Sequence, residues 1–143
     1  MRLAILALFC AGVLSACGGG DDSGDMNASE IQISMGRDAF RRACGACHMA
    51  AENGRNMVGP NLYDMIGREA GSLDGFSYSK ALRSETFKWD ERRMSLWIEN
   101  PDALVTGHRM KSYTPVRDPA QRDAIIAYLA SLAPAEAPET TAN

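Results

Sequence analysis

Apolar residues along this chain recur at helical spacing in three places, and nowhere do they alternate convincingly as in a half-buried strand. The first is Ile31, Met35, Ala39, Phe40 and Ala43. Ser29 with Gln32 fits a capping box just before it, so the pattern predicts a helix over 31–44. The second starts at Asp90 as cap and runs to Glu99, with Met94, Trp97 and Ile98 on one face; Asn100-Pro101 stops it. The third has Asp118 as cap, Pro119 at the first helical position and Gln121 at the third. Its buried stripe is Ile125, Tyr128, Leu129 and Leu132, and Pro134 ends it. Shorter helices are predicted at 61–66, closed by Gly67, and at 77–83. The stretches 49–60 and 100–117 carry no periodicity. A small all-α domain holds that much irregular chain when something besides secondary structure fills its middle.

The two ends follow other rules. Met1-Arg2 precedes an apolar run, Leu3 to Ala16, which reads as an export signal too short to anchor across a bilayer. Its end, Leu14-Ser15-Ala16-Cys17, resembles the lipobox of bacterial lipoproteins. That resemblance implies that Cys17 becomes the first mature residue and carries acyl chains. An ordinary cleaved signal is the alternative, and it leaves Cys17 as an unpaired exported thiol. Residues 18–30 are Gly-rich and acidic and read as a flexible tether, and 135–143 as a disordered tail. The organisation expected is a signal over 1–16, acylated Cys17 and tether over 17–30, and one folded domain over 31–134. The chain is then exported and held at a membrane, facing the periplasm.

Composition narrows the class. With 45% hydrophobic and 23% charged residues, the sequence is that of a globular protein rather than a disordered one. The formal charge of −3 comes from the ends, since residues 31–134 hold 14 basic and 12 acidic side chains. No cluster of Lys and Arg marks a nucleic-acid partner.

The chemistry lies in Cys44-Gly45-Ala46-Cys47-His48, the C-x-x-C-H pattern of c-type haem attachment. Two thiols three positions apart at a helix end can each bond one vinyl group of the same porphyrin, and the adjacent imidazole then lies under the iron. Two other readings exist. A thioredoxin-like Cys pair needs a preceding strand, whereas 31–43 reads as helix. A zinc site needs four ligands, and with Cys10 and Cys17 assigned to export only Cys44, Cys47, His48 and His108 remain.

Over residues 34–133 the sequence resembles the class I cytochromes c of mitochondria and bacteria. Gly36 and Phe40 match the glycine and aromatic of the family's N-terminal helix, and Ile125-Ile126-Ala127-Tyr128-Leu129 matches its C-terminal helix. The resemblance implies that these helices cross and that loops and short helices wrap one covalent haem c, held through Cys44 and Cys47. Gly59-Pro60-Asn61-Leu62 follows His48 at the family's distance. By resemblance His48 ligates the iron and the Pro60 carbonyl orients it. Gly67-Arg68, Gly75-Phe76-Ser77-Tyr78-Ser79 and Trp89 match the propionate-wrapping segments, with Arg68, Tyr78 and Trp89 as donors. Met110, in Gly107-His108-Arg109-Met110, matches the family's sixth ligand. Met57 and Met65 fall on the His48 side by the same resemblance, and Met35 and Met94 read as packing residues. The chain departs from the family at Thr106, His108, Leu82 and Tyr113, and Trp97 stands where a tyrosine is usual near the Met sulfur. The position of His108 normally serves a propionate. An imidazole there could also replace the sulfur on ferric iron.

The function implied is a monohaem electron carrier and no enzyme, since His and Met fill both axial positions and raise the potential. Its partners would be redox proteins at the membrane: a quinol-oxidising cytochrome complex, a terminal oxidase or a periplasmic dehydrogenase. A fixed haem subunit of a larger complex, and a peroxidase or ligand-binding protein with a labile Met, are the alternatives.

Overall fold

In the computed structural model, residues 27–111 and 113–134 are described. The signal, Cys10, Cys17, tether residues up to Met26 and the tail 135–143 lie outside them.

Helix α1, Ala28–Ala43, starts earlier than the periodicity predicts. Its cap is Asn27, whose side chain accepts from the Glu30 N–H while Glu30 reaches back to the Asn27 N–H. This box displaces the one expected at Ser29 and Gln32. A carboxylate in the first turn also meets the positive end of the helix dipole, which Gln32 cannot match. Three residues expected in the tether, 28–30, are therefore helical. The face of α1 that packs is also shorter than the predicted stripe. Gly36, Ala39 and Phe40 are buried, whereas Ile31 and Met35 are exposed. Met35 is thus no packing residue.

The remaining helices are α2, Lys80–Arg83; α3, Glu91–Glu99; α4, Pro101–Leu104; and α5, Pro119–Ala130. Asp90 caps α3 through the Arg93 N–H, and Asp118 caps α5 through the Ala120 N–H. α5 ends at Ala130 and not at Pro134, with Ser131 as cap and Leu132 in the turn beyond. Of the span 77–83, only 80–83 is helical, capped by Ser79. The helix expected at 61–66 is absent. Asp64 takes a left-handed φ of 50° there, and the carbonyls of Asn61 and Tyr63 accept from the Arg68 guanidinium instead of continuing a helix. α4 lies inside the stretch read as irregular. Pro101 both ends α3 and occupies the first turn of the next helix.

Helix α1 packs on α5, and α3 packs on both α4 and α5. Gly36 allows the close approach: a Cβ there would stand 2.6 Å from the carbonyl carbon of Ala124 and 2.9 Å from Cβ of Tyr128. Phe40 then reaches Tyr128 with ring centroids 5.6 Å apart. Among the described residues the only β-type pairing is an isolated antiparallel bridge between Glu69 and Lys88. The Gly67 N–H donates to Trp89 O (2.7 Å), and the Trp89 N–H donates to Arg68 O (2.9 Å). These bonds fix Arg68 and Trp89 side by side. No helix of the described residues is long and apolar enough to cross a membrane.

Candidate functional site

Beyond α1 the chain turns without unwinding. The N–H groups of Cys47 and His48 both donate to Cys44 O, at 3.0 and 2.9 Å, so both thiols and the imidazole leave one tight turn. Gly59 closes over it, its N–H donating to Cys47 O at 2.8 Å. The ring of His48 lies against Gly59, where a Cβ would meet both ring nitrogens at 2.6 Å. Only glycine leaves room for the imidazole.

The Nδ1–H of His48 donates to Pro60 O at 2.8 Å. A carbonyl can only accept, so the proton sits on Nδ1 and the lone pair of Nε2 is free for a metal. Burial pushes the pKa of His48 down, against the raising effect of the Pro60 hydrogen bond, and so favours the neutral, ligating imidazole. Cys44 and Cys47 are free. Burial, with Cys47 adding to it, pushes the Cys44 thiol up to about 11.

These residues open on a cavity of about 590 Å³. It is lined by all ten side chains expected from the sequence: Cys44, Cys47, His48, Pro60, Arg68, Tyr78, Trp89, Trp97, His108 and Met110. Much of the rest of the lining is apolar, including Leu82, Met94, Ile98, Ile125 and Leu129, with Ser77, Ser79, Arg109, Lys111 and Thr114 as polar members. Met65 also lines the cavity, whereas Met57 does not and is partly exposed. Met94 is buried, as expected of a packing residue, and adds to the same wall.

One side of the cavity is cationic. Arg68 is half-buried, and its Nη1–H and Nη2–H groups donate to Tyr63 O and Asn61 O at 3.3 and 3.1 Å. No carboxylate among the described residues pairs with it. Burial lowers its pKa and raises that of nearby Tyr78, which the Arg68 charge partly opposes. A half-buried guanidinium without an anion, beside a buried phenol, suits a carboxylate-bearing ligand. A row of aromatic rings runs along another wall, which Trp89, Trp97 and His108 line. Phe87, Trp89, Trp97 and His108 stack edge to face in sequence, with centroids 5.1, 5.4 and 5.1 Å apart.

The donor set fits haem c: two thiols and an imidazole in one turn, a thioether donor in the lining, an apolar interior and an unpaired cation. The zinc and thioredoxin-like readings find no support. Among the described residues no three His, Cys, Asp or Glu side chains gather as a metal site, and a helix, not a strand, precedes Cys44.

Two participants escaped the sequence reading. Asn61 is buried and organises the loop 49–60. Its Nδ2–H groups donate to Ala51 O and Gly54 O at 2.7 and 2.9 Å, and its Oδ1 accepts from the N–H groups of Ala51 and Tyr63. An asparagine following Gly-Pro is a turn signal that could have shown it. Asp102 in α4 lies 3.2 Å from Nε2 of His108, and only the fold brings it there.

This architecture defines a helical protein built around one covalently held porphyrin. The sequence profile described as Cytochrome c matches residues 33–133, and the chain belongs to that family. It is 40% identical over 83 residues to cytochrome c of Trypanosoma brucei brucei, covering 58% of this chain and 88% of the other. To cytochrome c-type cyt cy of Rhodobacter capsulatus it is 36% identical over 97 residues, covering 68% of this chain and 47% of the other. To cytochrome c2 of Rhodomicrobium vannielii it is 34% identical over 96 residues, covering 67% and 75%. The protein is a monohaem electron carrier, not an enzyme. As a member of that family it binds one covalent haem c through a Cys pair with His and Met ligation, and Cys44, Cys47, His48 and Met110 all line the cavity.

Proposed function

We propose that this chain is a lipid-tethered carrier that passes single electrons between redox proteins of one membrane. The haem supplies a one-electron couple tuned by its axial ligands. The chain's own residues would hold it: His48, kept in its ligating tautomer by Pro60, and Met110 would ligate the iron within a largely apolar lining. Arg68, Tyr78 and Trp89 would receive its propionates, and Trp97 and His108 would lie beside Met110. The observation that supports the electron-transfer role is that His48 and Met110 line the same cavity, so the chain can supply both iron ligands and leave no coordination position for a substrate.

The sequence Leu14-Ser15-Ala16-Cys17 supports the tether. Since α1 begins at Ala28, ten residues, 18–27, separate Cys17 from the folded domain. As a Gly-rich coil they would span roughly 17 Å on average, and at full extension about 35 Å. The domain would then reach partners in its own membrane and gain effective concentration rather than tight binding. Quinol-oxidising cytochrome complexes, terminal oxidases and periplasmic dehydrogenases are partners of the right chemistry. The test is a form exported with an ordinary signal and lacking Cys17. It should keep its spectrum and potential, enter the soluble fraction and reduce membrane partners more slowly at equal copy number. Retention in the membrane, or an unchanged rate, would reject the tether.

A further inference from the structure

The departure from the family at His108 has a structural counterpart. His108 is 2% exposed, and its ring packs edge-on against Trp97 at 5.1 Å. Its Nδ1 accepts the backbone N–H of Met110 at 3.0 Å. Nδ1 is therefore unprotonated, and the ring proton sits on Nε2. That Nε2 is buried and finds no aligned acceptor among the described residues. The nearest carboxylate oxygen, Oδ1 of Asp102, is 3.2 Å away but off the N–H axis. The same oxygen accepts from Nζ of Lys111 at 3.3 Å. Residues on both sides of Met110 thus converge on one carboxylate of α4.

We propose that Asp102 and His108 act as a clasp that positions Met110 for its bond to iron. Asp102 and His108 are positioning residues that act through Met110. The inference rests on Met110 being the sixth ligand. An unprotonated Nδ1 gives the Met110 N–H a buried acceptor and fixes the backbone from which the thioether projects. Nε2–H needs an acceptor of its own, because a buried donor without one is costly. A small rotation of the Asp102 carboxylate supplies it. The ring is then held at both nitrogens, as an imidazole bound to a metal is held through its second nitrogen, except that here the held ring carries the ligand's backbone.

The test uses the haem-loaded full chain in the ferric state. Three quantities are read: the charge-transfer band of the methionine–iron bond, the midpoint potential, and the rate at which added imidazole displaces the methionine. His108→Leu removes both contacts and should speed displacement about tenfold, with a weaker band and a lower potential. His108→Asn places Oδ1 where Nδ1 stands and should recover the band and part of the rate. Asp102→Ala, at an exposed side chain, removes the acceptor and should speed displacement a few-fold, and it decides the matter if His108→Leu does not accumulate with haem. Wild-type rates in both His108→Leu and Asp102→Ala would overturn the clasp. So would an effect confined to His108→Leu, which would assign Nε2–H to another acceptor such as a propionate. A band that survives Met110→Ala would overturn the ligand assignment instead, and so separates the two failures.

Discussion

Replacing Gly36 with alanine sets two opposed effects against each other, and the structure decides the sign. Alanine is the better helix former by about 1 kcal/mol, so α1 alone would gain. But the new methyl would overlap Ala124 O, lie 2.6 Å from Ala124 C and 2.9 Å from Tyr128 Cβ. Ordinary carbon contacts begin near 3.5 Å, so the shortfall is about 1 Å. The obstacle is the backbone of α5, so no rotamer change relieves it and the helices must part. Parting loosens Phe40 and Ile125, which are 4% and 0% exposed. Overpacking against such a rigid neighbour costs about 1–3 kcal/mol and occasionally more. With the cost at the top of that range, we expect a net loss of about 2 kcal/mol after the helix gain, or roughly 8–16 °C in Tm. Far-UV circular dichroism of the haem-loaded protein, in heat and in guanidinium, measures it. A variant as stable as wild type, or more so, would mean that helix propensity outweighs the crossing and that the approach of α1 to α5 is not tight.

Arg122 is a buried cation whose Nε–H donates to Ser95 Oγ (3.0 Å) and whose Nη1–H groups donate to Val116 O and Arg117 O (2.9 and 2.8 Å). Arg122→Met fills the same space but strands those carbonyls, and should cost about 2–4 kcal/mol in denaturant melts with the absorption spectrum unchanged. Tyr78 is buried, and its pKa is raised above the ordinary 10.0 by burial. As pH rises past that value the unfolded chain releases the proton first, so the stability Tyr78 confers is full below pH 10 and is lost towards its higher folded pKa. Tyr78→Phe should flatten this alkaline decline in melts taken from pH 9 upward; an unchanged slope would assign the decline to other groups.

How much of this the sequence revealed depended on whether the signal was local. α3 and α5 were legible because each pairs a side-chain cap with an apolar stripe. At the start of α1 two capping boxes overlap by two residues, Asn27 with Glu30 and Ser29 with Gln32, and spacing alone does not rank them. The helix expected at 61–66 failed for a tertiary reason: the carbonyls of Asn61 and Tyr63 serve Arg68. α4 was missed because Pro101 reads equally well as a stop and as a first-turn residue. The haem attachment was the most legible feature, since two thioether bonds and an axial imidazole require contiguous residues. Asp102 was invisible, because nothing along the chain tells which carboxylate a loop will fold against.

The cavity and the hydrophobic core are largely the same set of side chains. Met65, Tyr78, Leu82, Trp89, Met94, Trp97, Ile98, Val116, Ile125 and Leu129 are buried core residues, and each also lines the cavity. Without a porphyrin these side chains face one another across about 590 Å³. Apolar surfaces separated by such a space forgo much of the dispersion and burial that stabilise a small domain. This explains the long irregular stretches: loops 49–60 and 105–117 need no regular core of their own when a flat cofactor gives them a surface to pack on. Two of the departures from the family, Trp97 and His108, fall on this shared wall. Trp97 and His108 belong at once to the cavity wall and to the aromatic row of the core. A change there alters packing and ligand orientation together, so a substitution tuning the potential need not leave stability alone. Electron transfer gains from this coupling. A site whose ligands are held by the core itself has little freedom to rearrange when the iron changes charge, and such preorganised surroundings keep the cost of that change small.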